Sequence, residues 1–181
     1  VRAIKKRLDE RVALMADYNQ QLNLNQALER MRMLEDEGLY WIEEPVRHSD
    51  YEAYARIRAA FKTPLQTGEN FTSIFDMKKA IAMQSLDYVM PDVQRIGVTG
   101  WLKAAALAQA HSIDISNHMF PEYSVHLLAV APTCHWLEYM DLASPILKQP
   151  LEIKNGFALI PDRPGVGMEW DEDAIKHFEI A

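Results

Sequence analysis

Short apolar runs alternate with stretches of helical period along most of this chain, and most of the runs stop at an acidic or histidine side chain. Residues 2–9 read as the end of a helix, and Val12–Ala16 (VALMA) as a buried strand that stops at Asp17. Asn25–Glu37 then places Ala27, Leu28, Met31 and Leu34 on one helical face, and Gly38 closes it. Leu39–Ile42 is the next extended run, ending in the Glu43-Glu44-Pro45 turn. The pattern continues with a helix over Tyr51–Phe61, an extended Pro64–Thr67, and a helix over Ser73–Met83 behind a Thr72/Ser73 cap. Leu86–Met90 is extended, Gly100–His111 is an Ala-rich helix, and Ile113–Ser116 leads to His118. A helix over Ser124–Ala131 and an extended His135–Leu137, leading to Glu138, complete the series. After about residue 145 the rhythm stops, in a segment broken by Pro145, Pro150, Pro161, Pro164, Gly156, Gly165 and Gly167.

Six extended runs, each separated by a helix, predict an α/β fold with a parallel sheet and short right-handed crossovers. The polar groups Asp17, Glu43, Glu69, Asp92, His118 and Glu138 recur about 20 to 26 residues apart, the length of one strand–helix unit. At the C-terminal ends of successive parallel strands such groups converge on one face. An open doubly wound sheet usually carries a glycine-rich phosphate loop after its first strand, and neither that pattern nor a Walker motif is present. The expected architecture is therefore a partial (β/α)8 TIM-type barrel of about six C-terminal strand–helix units. It occupies 1–145 and is followed by a C-terminal segment at 146–181. Two further strands are expected upstream of Val1, since the chain lacks an initiator Met and begins within a periodic pattern.

Composition narrows the classes. At 181 residues and 49% apolar the chain is globular, and no apolar run approaches the roughly 18 residues of a membrane span. A net charge of -7 without a basic stripe argues against nucleic acid. Cys134 is the single cysteine, so no intrachain disulfide forms; a reducing, cytoplasmic setting and a buried thiol are expected.

The motifs DYNQ (17–20), WIEEP (41–45), GEN (68–70), MPD (90–92), IGVTGW (96–101), NHMF (117–120), HWLE (135–138) and IPDRPGVG (160–167) run in order across nearly the whole chain. In that order and spacing the chain resembles the enolase superfamily, specifically its mandelate racemase subgroup. Carried over position by position, the resemblance implies that Asp17, Glu43 and Glu69 ligate Mg²⁺. It makes His118 and Asp92 a general-base dyad and Glu138 a hydrogen-bond partner of the substrate carboxylate. It also implies a C-terminal segment packing towards a capping domain, and a homo-oligomer. The subgroup's Lys-x-Lys motif has no counterpart here; Lys5-Lys6 lies too close to Val12 to end a preceding strand and reads as surface helix.

The chemistry is coherent with those residue types. Removing a proton beside a carboxylate builds charge on neighbouring oxygens, which a divalent cation stabilises. Three carboxylates without thiolate or imidazole make a hard oxygen site, suited to Mg²⁺ with Mn²⁺ as a substitute. His118 has the ordinary pKa of a neutral-pH base, and Asp92 ends the preceding strand where it can hold one ring nitrogen. Glu44 reads as a supporting or structural carboxylate, Asn19 as a polar group near the substrate, and Asn70 as polar without a sharper role. His48 and His177 read as exposed, His111 as a helix end, His126 as a helix-face residue and His135 as a strand start. Trp101 and Trp136 read as core. The expected reaction is Mg²⁺-dependent abstraction of the α proton of a small carboxylate, ending in racemisation or epimerisation of a 2-hydroxy acid. Dehydration of an acid sugar to a 2-keto-3-deoxy acid is the alternative, and a catalytically silent fragment is the reading from another class. A muconate-type cycloisomerase is disfavoured by the His118–Asp92 pair.

Overall fold

Parallel strands cannot be joined by a tight turn, so each strand needs a crossover to bring the chain back to the same end of the sheet. The computed structural model describes residues 1–179 and obeys that rule as far as Ala129. After a short helix α1 (Arg2–Lys5) come β1 (Ala16–Asp17), α2 (Leu24–Leu34), β2 (Ile42–Glu43), α3 (Tyr51–Ala60) and β3 (Leu65–Thr67). Then follow α4 (Ile74–Ala82), β4 (Tyr88–Val89), α5 (Val93–Ala110), β5 (Asp114–Ile115) and α6 (Pro121–Ala129). The five strands form one parallel sheet in the order β1-β2-β3-β4-β5, each beside its neighbour in sequence, as in the wall of a barrel.

Local signals place the helices. Asn23 and Gln26 make a reciprocal capping box that starts α2, and Gly38, at φ 62°, ends the turn that follows it. Asp50 caps α3, and Ser73 with Asp76 forms the box expected at the start of α4. Pro121, at the first position of α6, starts that helix three residues before the expected Ser124. Helix α5 also begins early. Asp92 accepts the Gln94 and Arg95 N–H groups, and a turn forms at Val93 before Gly97, at φ 68°, kinks the helix. The inward faces of α2 and α3 bury Ala27, Met31, Tyr54 and Ile57 against Ile42 and Leu65. Those of α4, α5 and α6 bury Met77, Trp101, Ala108 and Leu128 against Val89 and Ile115. Between β3 and β4 the packing leaves no room for a side chain: a Cβ on Gly68, at φ 137°, would stand 3.0 Å from Met90 N.

Several expectations change. Of the run Val12–Ala16 only Ala16 enters the ladder, although Leu14 O accepts the Tyr40 N–H at 2.8 Å, and Val12 is half exposed. His135–Leu137 forms no strand; this stretch joins the sheet through a single parallel bridge between Ile115 and Cys134, with the His135 N–H donated to Ile115 O. Cys134 is exposed rather than buried. Trp136 is 42% exposed, lying with Tyr40, Trp41, Tyr88 and His135 in a group of rings, whereas Trp101 is fully buried as expected. His48 is half-buried on Gln20 rather than exposed. The C-terminal segment is less irregular than its prolines suggest. It carries a hairpin of β6 (Ile153–Lys154) and β7 (Phe157–Ala158) around Asn155-Gly156, both at positive φ, and a helix α7 (Glu172–Phe178). Lys5 and Lys6 are exposed, and Lys5 donates to Glu37 O, as a surface role requires.

Candidate active site

Parallel pairing in register sets the site's spacing. Asp17 on β1 is the direct partner of Glu43 on β2, and Glu43 is the partner of Gln66 on β3. These side chains therefore stand side by side at the strand ends. Asp17 is exposed and accepts the Asn19 N–H at 2.7 Å, an Asx turn that ends the strand. Asn19 lies on that exposed turn at φ 42°, tied to the cluster through its backbone. Glu43 is buried, and its Oε2 accepts from Trp41 Nε1 at 3.2 Å and Gln66 Nε2 at 3.0 Å. Glu44 is fully buried on the other side of the chain, accepting from Thr67 Oγ1 and Asn70 Nδ2. Asn70 also donates to Glu69 Oε1 at 3.0 Å and so links Glu44 to Glu69.

The other half is built around His118. Its Nδ1 lies 2.7 Å from Asp92 Oδ2, and its Nε2 lies 3.4 Å from Glu69 Oε2. Asp92 has its second oxygen fixed on the first N–H groups of α5, so one carboxylate both caps a helix and holds an imidazole. Burial draws the His118 pKa down, but the Asp92 hydrogen bond and the charges of Glu69 and Glu138 together lift it above the usual range. Burial raises Asp92, yet the His118 hydrogen bond and the backbone N–H groups outweigh it and leave it low. Met119 and Phe120, directly after His118, both adopt left-handed φ values of 48° and 47°, each costing about 1 to 3 kcal/mol for such residues. Glu138 Oε2 accepts the Met119 N–H at 2.6 Å.

The six expected positions thus share one electrostatic field. Burial pushes Glu43 up to about 7, against the Gln66 hydrogen bond and with the charges of Asp17, Glu138 and Glu69. Burial also raises Glu69, with Asp17 and Glu138 adding to it and His118 opposing. Successive strands of the parallel sheet thus end in Asp17, Glu43, Glu69, Asp92 and His118. The sequence profile described as Enolase C-terminal domain-like covers residues 1–174. The chain belongs to that family.

Relatives of this enolase-type chain carry several activities. It is 35% identical over 179 residues to the L-talarate/galactarate dehydratase of Salmonella typhimurium, covering 98% of the chain and 45% of that enzyme. It is 32% identical to the 3,6-anhydro-alpha-L-galactonate cycloisomerase of Streptomyces coelicolor, over 99% of the chain and 50% of the relative. Among solved structures, a Bradyrhizobium enolase complexed with magnesium and mandelic acid superposes with a TM-score of 0.94 at 38% identity, over 99% of this chain and 50% of that one. The chain therefore spans about half the length of the relatives it matches.

Among the described residues, no three acidic, histidine or cysteine side chains are close enough to hold a metal ion as placed. The donor chemistry of Asp17, Glu43 and Glu69 nevertheless fits a hard divalent cation. They are three carboxylates on adjacent strand ends, and the charge of each of the other two raises the buried Glu43. A cation relieves that repulsion. Two residues near the site escape the sequence reading. Gln66 is the amide that holds Glu43, and it does so through the register of β2 on β3, which no local pattern marks. Asn117 is fully buried beside His118; it opens the NHMF motif, but the motif assigns it no role of its own.

Proposed function

We propose that the protein, at its natural length, abstracts the proton α to the carboxylate of a small hydroxy acid. His118 is the base, Asp92 orients it, Glu138 hydrogen-bonds the substrate carboxylate, and Asp17, Glu43 and Glu69 hold Mg²⁺. The observation that carries this reading is the His118–Asp92 hydrogen bond of 2.7 Å, with the opposite ring nitrogen turned towards Glu69. Bound among the three carboxylates, the cation would supply positive charge to the substrate's carboxylate oxygens. Asp92 accepts a hydrogen bond from Nδ1–H and so fixes the tautomer with the lone pair on Nε2. Nε2 then removes the α proton, and the resulting imidazolium faces two carboxylates, Asp92 and Glu69. Glu138 has Oε2 committed to Met119, which leaves Oε1 for the substrate.

For a sugar acid, the enediolate then expels its β-hydroxyl. The proton on Nε2 goes to that leaving oxygen, releasing water, and the enol tautomerises to a 2-keto-3-deoxy acid. The names of the dehydratase relatives favour this outcome. Racemisation of a 2-hydroxy acid is the second reading, and the mandelic acid in the Bradyrhizobium complex supports it. Proton NMR in D₂O, with Mg²⁺ and a panel of 2-hydroxy and sugar acids, separates them. A 2-keto-3-deoxy product establishes dehydration, and α-proton exchange without loss of water establishes racemisation. No exchange with any acid returns the chain to the silent reading.

Two further outcomes test the metal assignment. Glu43→Gln should weaken Mn²⁺ binding at least about tenfold, the scale at which even outer partners of a metal matter, and lower turnover with it. Unchanged affinity in a calorimetric titration would remove Glu43 from the ligand set. Because burial pushes Glu43 up to about 7, an ion binding below that pH displaces a proton. Apparent affinity should therefore fall roughly tenfold per pH unit between about 7 and 5.5, and be flat above about 8. A pH-independent affinity across that window would contradict a buried carboxylate ligand.

A further inference from the structure

His118 and Glu138 lie on different loops, and the link between them is one buried side chain. Asn117 Oδ1 accepts the Glu138 N–H at 2.8 Å, while its Nδ2 donates to Met119 O at 2.7 Å and to Glu138 O at 3.3 Å. The bond returns in the other direction: Glu138 Oε2 accepts the Met119 N–H at 2.6 Å. Each loop thus uses a side chain to hold the other loop's backbone. Met119, at the centre, is also held by Ser124, whose hydroxyl donates to Met119 O at 3.0 Å. The two left-handed residues that follow His118 are kept in place where these bonds meet.

We propose that Asn117 is a positioning residue that sets the distance between His118 and Glu138 through this reciprocal clamp. The inference rests on the proposed function only in taking those two as the reacting groups. A buried amide suits the task because it offers an acceptor and two donor hydrogens on a short stem, and all are used here. No aliphatic residue of similar size supplies either, and removing the amide leaves buried carbonyl and N–H groups unpaired.

The test uses Asn117→Ala and Asn117→Asp in the protein at its natural length, read first by amide hydrogen exchange. In Asn117→Ala the Met119 and Glu138 amides should exchange about tenfold faster, while the Tyr18 and Glu44 amides of the distant strand ends stay unchanged. Asn117 does not touch the Met119 N–H, so its deprotection is the signature of action through Glu138. Asn117→Asp preserves size and the acceptor for the Glu138 N–H but loses both donors. It should expose Met119 and leave Glu138 protected, and it keeps the proposal testable if the alanine variant folds poorly. With Mg²⁺ and an acid that the wild type turns over, Asn117→Asp should lower kcat about tenfold or more and move KM less. Wild-type protection of Met119 in both Asn117 variants overturns the clamp, whatever happens to turnover. Loss of protection confirms it even if the wild type proves inactive with every acid tried, an outcome that counts against the proposed function alone.

Discussion

Replacing His118 by Asn should lower α-proton exchange by about 10²- to 10⁴-fold, the range typical of a positioned general base, while metal affinity stays within about twofold. Asparagine is short and polar, and its amide can still donate to Asp92, so the capping bonds from Asp92 to α5 are preserved. What disappears is the group at the Nε2 position, 3.4 Å from Glu69. Glu69 faces the imidazole, but Asp17, Glu43 and Glu69 keep their own strand pairing and amide partners without it, so the ligand set outlasts loss of the base. The measurement is wash-out of the α proton in D₂O beside an Mn²⁺ titration of the same sample. Full exchange in His118→Asn, with metal bound, would assign the base to some other group.

Trp101→Ala should be the most destabilising single change in α5, by about 3 to 5 kcal/mol in urea or thermal unfolding. The side chain is fully buried among Met77, Val89, Ile115 and their neighbours in the core under β4 and β5. Its indole N–H also donates to Pro91 O at 3.0 Å, one residue before Asp92. Trp101→Phe keeps much of the apolar area and strands only that carbonyl, at about 1 to 3 kcal/mol. The alanine variant should therefore unfold far more readily, and the phenylalanine variant should disturb the His118–Asp92 pair with a smaller loss of stability. A loss below about 1 kcal/mol for alanine would mean that α5 does not rest on the sheet through this residue.

Much of this arrangement is legible in the sequence because strand ends and helix starts carry chemical markers. The Ser73 cap, the Gly38 terminus and the regular spacing of Asp17, Glu43, Glu69, Asp92 and His118 are local properties, and each lies where the spacing places it. What is not legible depends on partners. An apolar run such as Val12–Ala16 shows compatibility with a buried strand but not which residues find a neighbour, and on the sheet edge only Ala16 and Asp17 enter the ladder. Asp92 is read as one thing and does two: holding His118 hides its role as the cap that starts α5 at Val93. Gln66 and Asn117 act across strands and loops, through register and burial, and neither quantity is written in the residues beside them. Cys134 and Trp136 miss for the same reason, since their exposure follows from a stretch that makes a bridge where a strand is expected.

The bare backbone at Gly68 has a consequence for how this scaffold can diverge. It lies between Thr67 and Glu69, and it lets β3 approach β4 closely enough that any side chain there would press on Val89 and Met90. The half of the pocket that carries the carboxylates and the half that carries the imidazole are therefore sewn together at a residue with nothing to vary. Lineages selected for bulkier acids gain little by changing position 68, since a side chain there is strained at φ 137° and crowds β4. Their variation must come from the turns, such as the exposed one after Asp17, where a new side chain reshapes the rim and leaves the seam alone.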